Sequence, residues 1–573
     1  MLRTRTCGEL RKENVGEEVV LSGWVSKVRN LGALVFVDLR DRYGFTQINI
    51  SPELFENNPL KNEYCVQVKG KVSLKDVPNK NLATGEVEVI ASEIKVYSSS
   101  IVPPFIIADK TDALEDTRLK DRFLDLRRPY LQNNLILRSK IVKSVHEFFD
   151  NLGFVEVETP TLVKSTPEGA RDYLVPSRIK KGAFYALPQS PQIYKQLLMI
   201  SGMDRYYQVA RCYRDEDLRA DRQPEFTQVD VEMSFVERED VLKVIEDLLN
   251  KVFKDTISYD LGKFKRISYK DAIELYGSDK PDMRFDLLLK DISFISSKGF
   301  EAYKDKAVKC LVVPSLASQT TRKIMDSDNL EAKKYGIHGV SHLKYENGVL
   351  TGSIVKYFAK ETIDELVNFL GLKDGDLVIV GADANRTRLS EALGSLRLIY
   401  GDKLGLRNKD KYVPLFVIDW PLFDREDGKI VSLSNPFTRP RDEDLPLLDE
   451  DPTKVLSYAY DTVINGMELS SGSLRIYDGN LQKKVFELLG LTDEDIKNRF
   501  GFFVDAFKYG TPPHGGFGIG LDRLAMQICK TDNVRDVIAF PKNLKAYCMM
   551  ADCPCEVPQE NIDILGIKIK DEE

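Results

Sequence analysis

From Tyr206 to Phe235 the chain reads YYQVARCYRDEDLRADRQPEFTQVDVEMSF. Its second half alternates strictly, with Val229, Val231, Met233 and Phe235 on one face and Gln228, Asp230, Glu232 and Ser234 on the other. This predicts a half-buried strand with an unusually polar second face, preceded by a strand over Tyr206–Tyr213. Between Val19 and Val96, five short alternating runs (VVLSGWV, ALVFVDLRD, FTQINI, YCVQVKGKV, VEVIASEIKV) are separated by turn residues at Gly44, Ser51-Pro52 and Thr84-Gly85. A small β-barrel is predicted there. Leu137, Ile141, Val145, Phe148, Phe149 and Leu152 recur at spacings of three and four, the signature of an amphipathic helix stopped by Gly153, and FVEVETP follows as an alternating strand. From about Arg284 to Tyr412 the pattern turns α/β, with KAVKCLVVP and GDLVIVGAD as strands and TIDELVNFLGL and LSEALGSLRLIYG as helices. Beyond it, DTVINGMELSSGSLRIY (Asp461 to Tyr477), punctuated by Gly466 and Gly472, reads as a helix end leading to a strand. GGFGIGLDRLAMQI reads as a glycine-rich strand running into a helix.

Length and composition narrow the classes. At 573 residues the chain is too long for one core and suggests three or four domains. No run approaches the roughly eighteen apolar residues of a membrane helix, and the start, MLRTRTCGEL, lacks the apolar centre of a signal peptide. No membrane association and a cytoplasmic location are expected. The eight cysteines are scattered, with Cys548, Cys553 and Cys555 the only cluster, and the spacing fits no usual zinc pattern. His338 and His342 lie four apart but in glycine-broken, strand-like surroundings that argue against a metal site. A net charge of −7 argues against non-specific coating of nucleic acid and leaves room for local basic patches.

The candidate chemistry gathers in the loop before Phe226. Arg214, Asp215, Glu216, Asp217, Arg219, Asp221, Arg222 and Glu225 carry charge there, and Gln223-Pro224 closes it. A solvated hairpin loop would look the same. Guanidiniums are forks suited to phosphate, however, and Phe226 could stack on a base, so the loop is a candidate nucleotide site. Asp461 and Glu468 are two carboxylates of the kind that hold magnesium; a structural salt-bridge role is the alternative. Arg523, in the first turn of the helix that follows the glycine-rich strand, would be disfavoured by the helix dipole unless an anion sits there. No GxxxxGK[ST] loop is present, so ATP binding of the P-loop kind is excluded.

Arg214-Asp215-Glu216-Asp217 followed by Phe226-Thr227-Gln228 resembles motif 2 of the class II aminoacyl-tRNA synthetases, and RDEDLRADRQPEFTQVD is most similar to the bacterial-type aspartyl members. The likeness extends along nearly the whole chain: the helix and strand ending at Pro160 match motif 1, which in that family forms the dimer interface, and Gly515 to Ile528 match motif 3. It implies a multidomain α+β protein: an OB-fold anticodon-binding barrel over 1–108, a hinge over 109–128, and a class II antiparallel-sheet catalytic domain over 129–283 and 412–573 with a C-terminal extension. An α/β insertion domain over 284–411 would interrupt that sheet.

The same resemblance implies the activity: L-aspartate is joined to ATP as aspartyl-adenylate with magnesium, and aspartyl passes to tRNA(Asp), with tRNA(Asn) left open as a second acceptor. A homodimer is expected. Arg214 and Arg523 would be catalytic. Glu168, Ser190, Gln192, Lys195, Arg214, Gln228, Ser434 and Arg475 would hold aspartate, Arg475 by pairing with its side-chain carboxylate. Arg214, Asp215, Glu216, Gln223, Phe226, Glu468, Gly520, Leu521, Asp522 and Arg523 would hold ATP, with magnesium on Asp461 and Glu468. Arg29, Phe36 and Gln47 would read the anticodon. One departure stands out: Ser434-Asn435 occupies the place of the family's paired histidines before PFT. An asparaginyl or lysyl member and a non-catalytic relative are the rival readings.

Overall fold

The computed structural model describes residues 2–166 and 170–570, which form two compact units. The first comprises 1–136 and 535–556. Its strands Glu18–Asn30, Val35–Asp41, Gly44–Ile50, Cys65–Leu74 and Val87–Ser98 close into a barrel. Alternation makes it: Val35, Val37 and Leu39 point into an aliphatic core with Val19, Leu21, Ile48, Val66 and Val89, while Phe36 and Asp38 point out. The Ser51-Pro52 turn opens a short helix, Pro52–Asn57, because the Ser51 hydroxyl accepts the Leu54 N–H at 3.3 Å and proline suits the first turn.

The stretch read as a hinge is folded into this unit. Asp125, fully buried, accepts from Arg122 at 2.7 Å and Arg128 at 2.8 Å, and Arg122 also donates to the carbonyls of Arg535, Ile538 and Ala539. The charges of this stretch form an internal ion network. The segment 535–556, read as a continuation of the catalytic sequence, clusters with it.

The second unit is built on an eight-stranded sheet in the order Lys265–Ser268, Pro414–Ile418, Ala459–Ile464, Met467–Leu474, His514–Gly520, Glu225–Ser234, Arg205–Tyr213, Val155–Glu156. The interior pairs are antiparallel and the two edge pairs parallel. The helix Arg238–Ile257 buries Val241, Leu242, Ile245, Leu248, Leu249, Val252 and Phe253, one apolar stripe. In the helix Pro129–Asn151, Ile141, Val145 and Phe149 are buried as the periodicity predicts, but Leu152 is exposed. Of FVEVETP only Val155–Glu156 pairs. The region from Asp461 holds a hairpin rather than a helix end: Asn465 and Gly466 both have positive φ, the Asn-Gly turn that suits the strand twist.

Within this unit, Leu289–Asp291, Ala307–Val313, Asp376–Asp383, Val340–Glu346 and Val349–Gly352 form a separate five-stranded sheet with a core on each face. Burial on both sides explains the continuous apolar runs. Every pair in it is antiparallel, which the alternation of strands and helices did not indicate. His342 is buried there with Nε2 2.9 Å from the Asp328 carboxylate, which also accepts the Tyr400 hydroxyl at 2.6 Å, whereas His338 is exposed. Among the described residues no helix is long and apolar enough to cross a membrane.

Candidate active site

The polar face of Glu225–Ser234 looks onto the glycines of His514–Gly520: Gln228 pairs with Gly520, Asp230 with Gly518 and Glu232 with Gly516. A Cβ on Gly516 would lie 2.2 Å from Glu232 Oε2 and 2.1 Å from the Val231 carbonyl, so only glycine admits the carboxylate. The strand ends at Ser234, and Phe235, expected on its apolar face, is 75% exposed at φ 58°. Above this floor is a cavity of about 480 Å³.

The Gly516 end is charged and dry. Arg475 donates from Nε to Glu232 Oε1 at 2.9 Å and from Nη2 to Oε2 at 3.2 Å, with Nη1 on Ser473 Oγ at 2.7 Å and Nη2 also on the Gly516 carbonyl at 3.4 Å. Lys195, 1% exposed, donates to Asp230 Oδ1 at 2.9 Å and lies 3.4 Å from Glu232. Burial alone would raise the Glu232 carboxyl, but Arg475 and Lys195 outweigh it and hold it below the usual range; Glu232 in turn raises Arg475 against the effect of burial. Two cations therefore meet two anions. Asp230 Oδ2 and Gln192 Nε2 are buried on the cavity wall without a hydrogen-bond partner, an acceptor and a donor suited to a zwitterion.

A directed chain of hydrogen bonds leaves this cluster. A guanidinium only donates, so Ser473 Oγ accepts from Arg475 and passes its own proton to Thr438 Oγ at 3.1 Å; Thr438 donates to Asn435 Oδ1 at 3.3 Å. The Phe437 N–H donates to the same oxygen at 3.1 Å. With Oδ1 engaged twice, the amide orientation of Asn435 is fixed and its NH2 is left for the cavity, which Asn435 lines. Ser434, expected to touch aspartate, is not on the wall: its neighbour carries the inward direction. None of the four histidines lines the cavity.

The Gly520 end carries the nucleotide candidates. The Arg214 guanidinium lies over the Phe226 ring, 5.0 Å from its centroid, with Nε buried and unpartnered. Glu216 accepts from Arg222 at 2.9 Å, and Gln223 is buried beside them. Arg523 pairs with Asp221 at 3.1 Å and Glu468 at 3.8 Å and donates to the Glu468 carbonyl at 3.2 Å. The protein thus already supplies anions at the N-terminus of the helix Leu521–Cys529, so the position of Arg523 does not by itself call for an anionic ligand. Asp522 accepts from Arg138 and from the Thr227 N–H at 3.0 Å, bracing the helix against the strand. The Leu521 side chain is buried, so only its backbone can face a ligand. Asp215 bridges to Arg171 and is off the wall.

Asp461 also lies off the cavity wall, paired across the hairpin with Ser471. Burial, then the nearby Glu468 charge, raise its carboxyl well above the usual range, against a hydrogen bond with Ser471 and the charge of Lys280. A buried acid held next to a second acid fits a divalent cation. Glu468 in turn reaches Lys280 at 3.4 Å.

The cavity therefore brings together Ser190, Gln192, Lys195, Arg214, Glu216, Gln223, Phe226, Gln228, Glu468, Arg475, Gly520, Asp522 and Arg523. Glu168 lies outside the described residues. Asp230 and Glu232 were missed as site residues, although the polar alternation of Gln228, Asp230 and Glu232 was the available signal; Asp221 and Asn435 were noted, as a loop charge and as part of the departure before PFT, without a role. On the barrel exterior, Arg29 makes a fork to Asp38 at 2.6 and 2.7 Å and reaches Gln47 Oε1 at 3.4 Å. Gln47 Nε2 donates to Glu88 at 2.7 Å. Phe36 pairs with Arg29 on one side and Asn49 on the other.

The family model of class II tRNA synthetases (D, K and N) matches residues 114–544, and that of an OB-fold nucleic acid binding domain matches 19–97. The chain belongs to the class II tRNA synthetases. Relatives of this synthetase include an aspartate–tRNA ligase of Bacillus licheniformis, 46% identical with 99% of each chain covered, and an aspartate–tRNA(Asp/Asn) ligase of Geobacillus sp., 46% identical with 100% of this chain and 98% of the relative covered. Its fold is similar to that of asparaginyl-tRNA synthetase from Pyrococcus horikoshii, complexed with asparaginyl-adenylate (TM-score 0.60, 21% identity, 94% of this chain and 98% of that one). ATP is a substrate of such enzymes, and this synthetase joins an amino acid to tRNA.

Proposed function

We propose that the amino acid is L-aspartate and the acceptor tRNA(Asp). The observation that carries this is the buried, charge-balanced cluster at the Gly516 end of the cavity. Arg475 and the Asn435 amide offer donors to a side-chain carboxylate, Lys195, whose N–H groups go to Asp230, Val231 and Phe517, adds its charge, and the unpartnered Asp230 Oδ2 offers an acceptor to the ammonium. A lysine side chain would bring a third cation there. An asparagine amide would turn donors toward Lys195 and Arg475. The full-length relatives named for aspartate agree with this choice.

Neither half-reaction needs a protein nucleophile. The aspartate α-carboxylate oxygen attacks the α-phosphorus and pyrophosphate leaves; the terminal ribose hydroxyl of tRNA then attacks the aspartyl carbonyl carbon, the anhydride C–O bond breaks, and AMP leaves as the hydroxyl gives up its proton. Catalysis is positioning and stabilisation of developing charge. Arg214, once it exchanges the Phe226 face for the α-phosphate, leaves that ring for adenine. Arg523, drawn off Asp221, holds the far phosphates, and Glu216, Gln223 and the backbone from Gly520 complete the nucleotide site. Asp461 and Glu468 would hold magnesium, which neutralises phosphate charge when bound. Arg29, Phe36 and Gln47 would read the anticodon. Two copies associating through the motif 1 helix and strand fit the exposed Leu152 and Val155, and a cytoplasmic location fits the free cysteines.

Charging purified tRNA(Asp) and tRNA(Asn) with labelled aspartate tests the reading. Acceptance by tRNA(Asp) supports it and the tRNA(Asn) arm fixes the second acceptor. Acceptance by neither overturns it.

A further inference from the structure

The segment from Asn543 to Cys555 carries three of the eight cysteines, Cys548, Cys553 and Cys555, and nothing in the ligation chemistry uses a thiol. No group of three or more His, Cys, Asp or Glu among the described residues is placed to hold a metal. What distinguishes two of these cysteines is register. Cys548 and Cys553 face each other across an antiparallel bridge, with the Cys548 N–H donating to the Cys553 carbonyl at 2.8 Å and the Cys553 N–H to the Cys548 carbonyl at 3.3 Å. Residues that exchange both bonds stand with Cα atoms about 5.5 Å apart and side chains on one face. Disulfides span about 4.4–6.8 Å between Cα atoms, most often about 5.5–6 Å.

Other bonds hold the turn between the two and the stretch leading into it. The Tyr547 hydroxyl donates to the Asp552 carboxylate, and Asn543 Oδ1 accepts the Lys545 N–H at 3.0 Å and the Tyr547 N–H at 3.1 Å. Cys548 is buried, Cys553 half-buried and Cys555 exposed. Cys555 lies only two residues from Cys553, with no facing register to it.

We propose that Cys548 and Cys553 are a reversible dithiol–disulfide pair, oxidised by peroxide. Cys553, the more accessible of the two, reacts first: its thiolate attacks one peroxide oxygen, the O–O bond breaks, and the departing hydroxide takes up the thiol's proton and leaves as water. A sulfenic acid remains on Cys553. The Cys548 sulfur then attacks the Cys553 sulfur; the S–S bond forms, the S–O bond breaks, and the oxygen leaves as a second water with the remaining protons. Two thiols are oxidised and one peroxide is reduced to two waters. Burial raises the Cys553 thiol above its ordinary range, with Cys548 adding to this and Lys542 opposing, so thiolate is scarce at neutral pH and the rate climbs as pH rises.

The experiment treats the full-length protein with hydrogen peroxide, blocks remaining thiols, and maps peptides without reduction, using cleavage at Asp552 to separate the partners. The expected product is a Cys548–Cys553 link that dithiothreitol reverses. It should survive in Cys555→Ser and be absent from Cys548→Ser and Cys553→Ser, with circular dichroism confirming that each variant is folded. A Cys553–Cys555 link, a link between chains, or over-oxidised thiols with no Cys548–Cys553 link would each overturn the proposal.

Discussion

Arg475 and Glu232 form a buried two-bond fork, with Nε 2.9 Å from Oε1 and Nη2 3.2 Å from Oε2. The planar fork expected to meet the substrate carboxylate is therefore closed by the protein. With Ser473 and the Gly516 carbonyl also engaged, one Nη1 N–H remains for the ligand. Selectivity for a carboxylate then comes from the donors that remain, the Arg475 Nη1 N–H and the Asn435 amide, with the Lys195 charge beside them and Glu232 as a positioning residue.

Glu232→Gln should accordingly strip an anion from a buried pair and destabilise the protein by roughly 3–5 kcal/mol near neutral pH. Because the folded-state carboxyl is held below its ordinary value, the contribution of Glu232 is full above about pH 4.3 and is lost as pH falls through the lower folded value. Denaturant titrations of both proteins should diverge at pH 7 and converge in acid. Added aspartate should stabilise the variant more than the wild type, since its carboxylate restores the missing charge.

Asn435 gives a pH prediction. No histidine lines the cavity, so the aspartate KM should be flat between about pH 6 and 7.5, the range in which an exposed imidazole titrates. In Asn435→His it should fall as pH is lowered, because the imidazolium gains affinity for a carboxylate. Asn435→Asp keeps the shape and Oδ1 but turns a carboxylate to the cavity, and should raise the aspartate KM at least about tenfold, or about 1.4 kcal/mol, with the ATP KM unchanged. Matching profiles for wild type and Asn435→His would remove Asn435 from the aspartate site.

The sequence carried most of the cavity because strand alternation and the glycine-rich partner place side chains on a face regardless of the rest of the fold. It did not carry pairings set by distant segments. Lys195 and Asp230 are 35 residues apart and Arg475 and Glu232 are 243 apart, so no local pattern joins them. Asn435 was read by its place beside Ser434, and only the Thr438–Ser473 link shows which of the two turns inward. The hairpin at Asn465-Gly466 was legible and was misread, because the two glycines were taken as a helix end.

Phe36→Ala should impair tRNA charging and spare adenylate formation, since one stacked base is worth about 1–3 kcal/mol and Phe36 stands on the barrel exterior beside Arg29 and Asn49. Equal losses in the two half-reactions would exclude the barrel as anticodon reader.

Asp461→Asn should separate stability from activity. The carboxylate is buried beside Glu468 and is costly to ionise, so the variant should melt higher than wild type without magnesium. It should also need more magnesium for ATP-dependent activity. A lower melting temperature would mean that Asp461 is structural.

Amino-acid-dependent ATP–pyrophosphate exchange with aspartate, asparagine and lysine, the substrates that separate the D, N and K members of the family, decides whether the Gly516 end of the cavity selects aspartate. Aspartate should drive exchange, asparagine should fall behind by at least about thirtyfold in kcat/KM, or about 2 kcal/mol for a buried charge left half-paired, and lysine should be inert. Exchange driven equally well by asparagine, or by lysine in place of aspartate, would contradict the account.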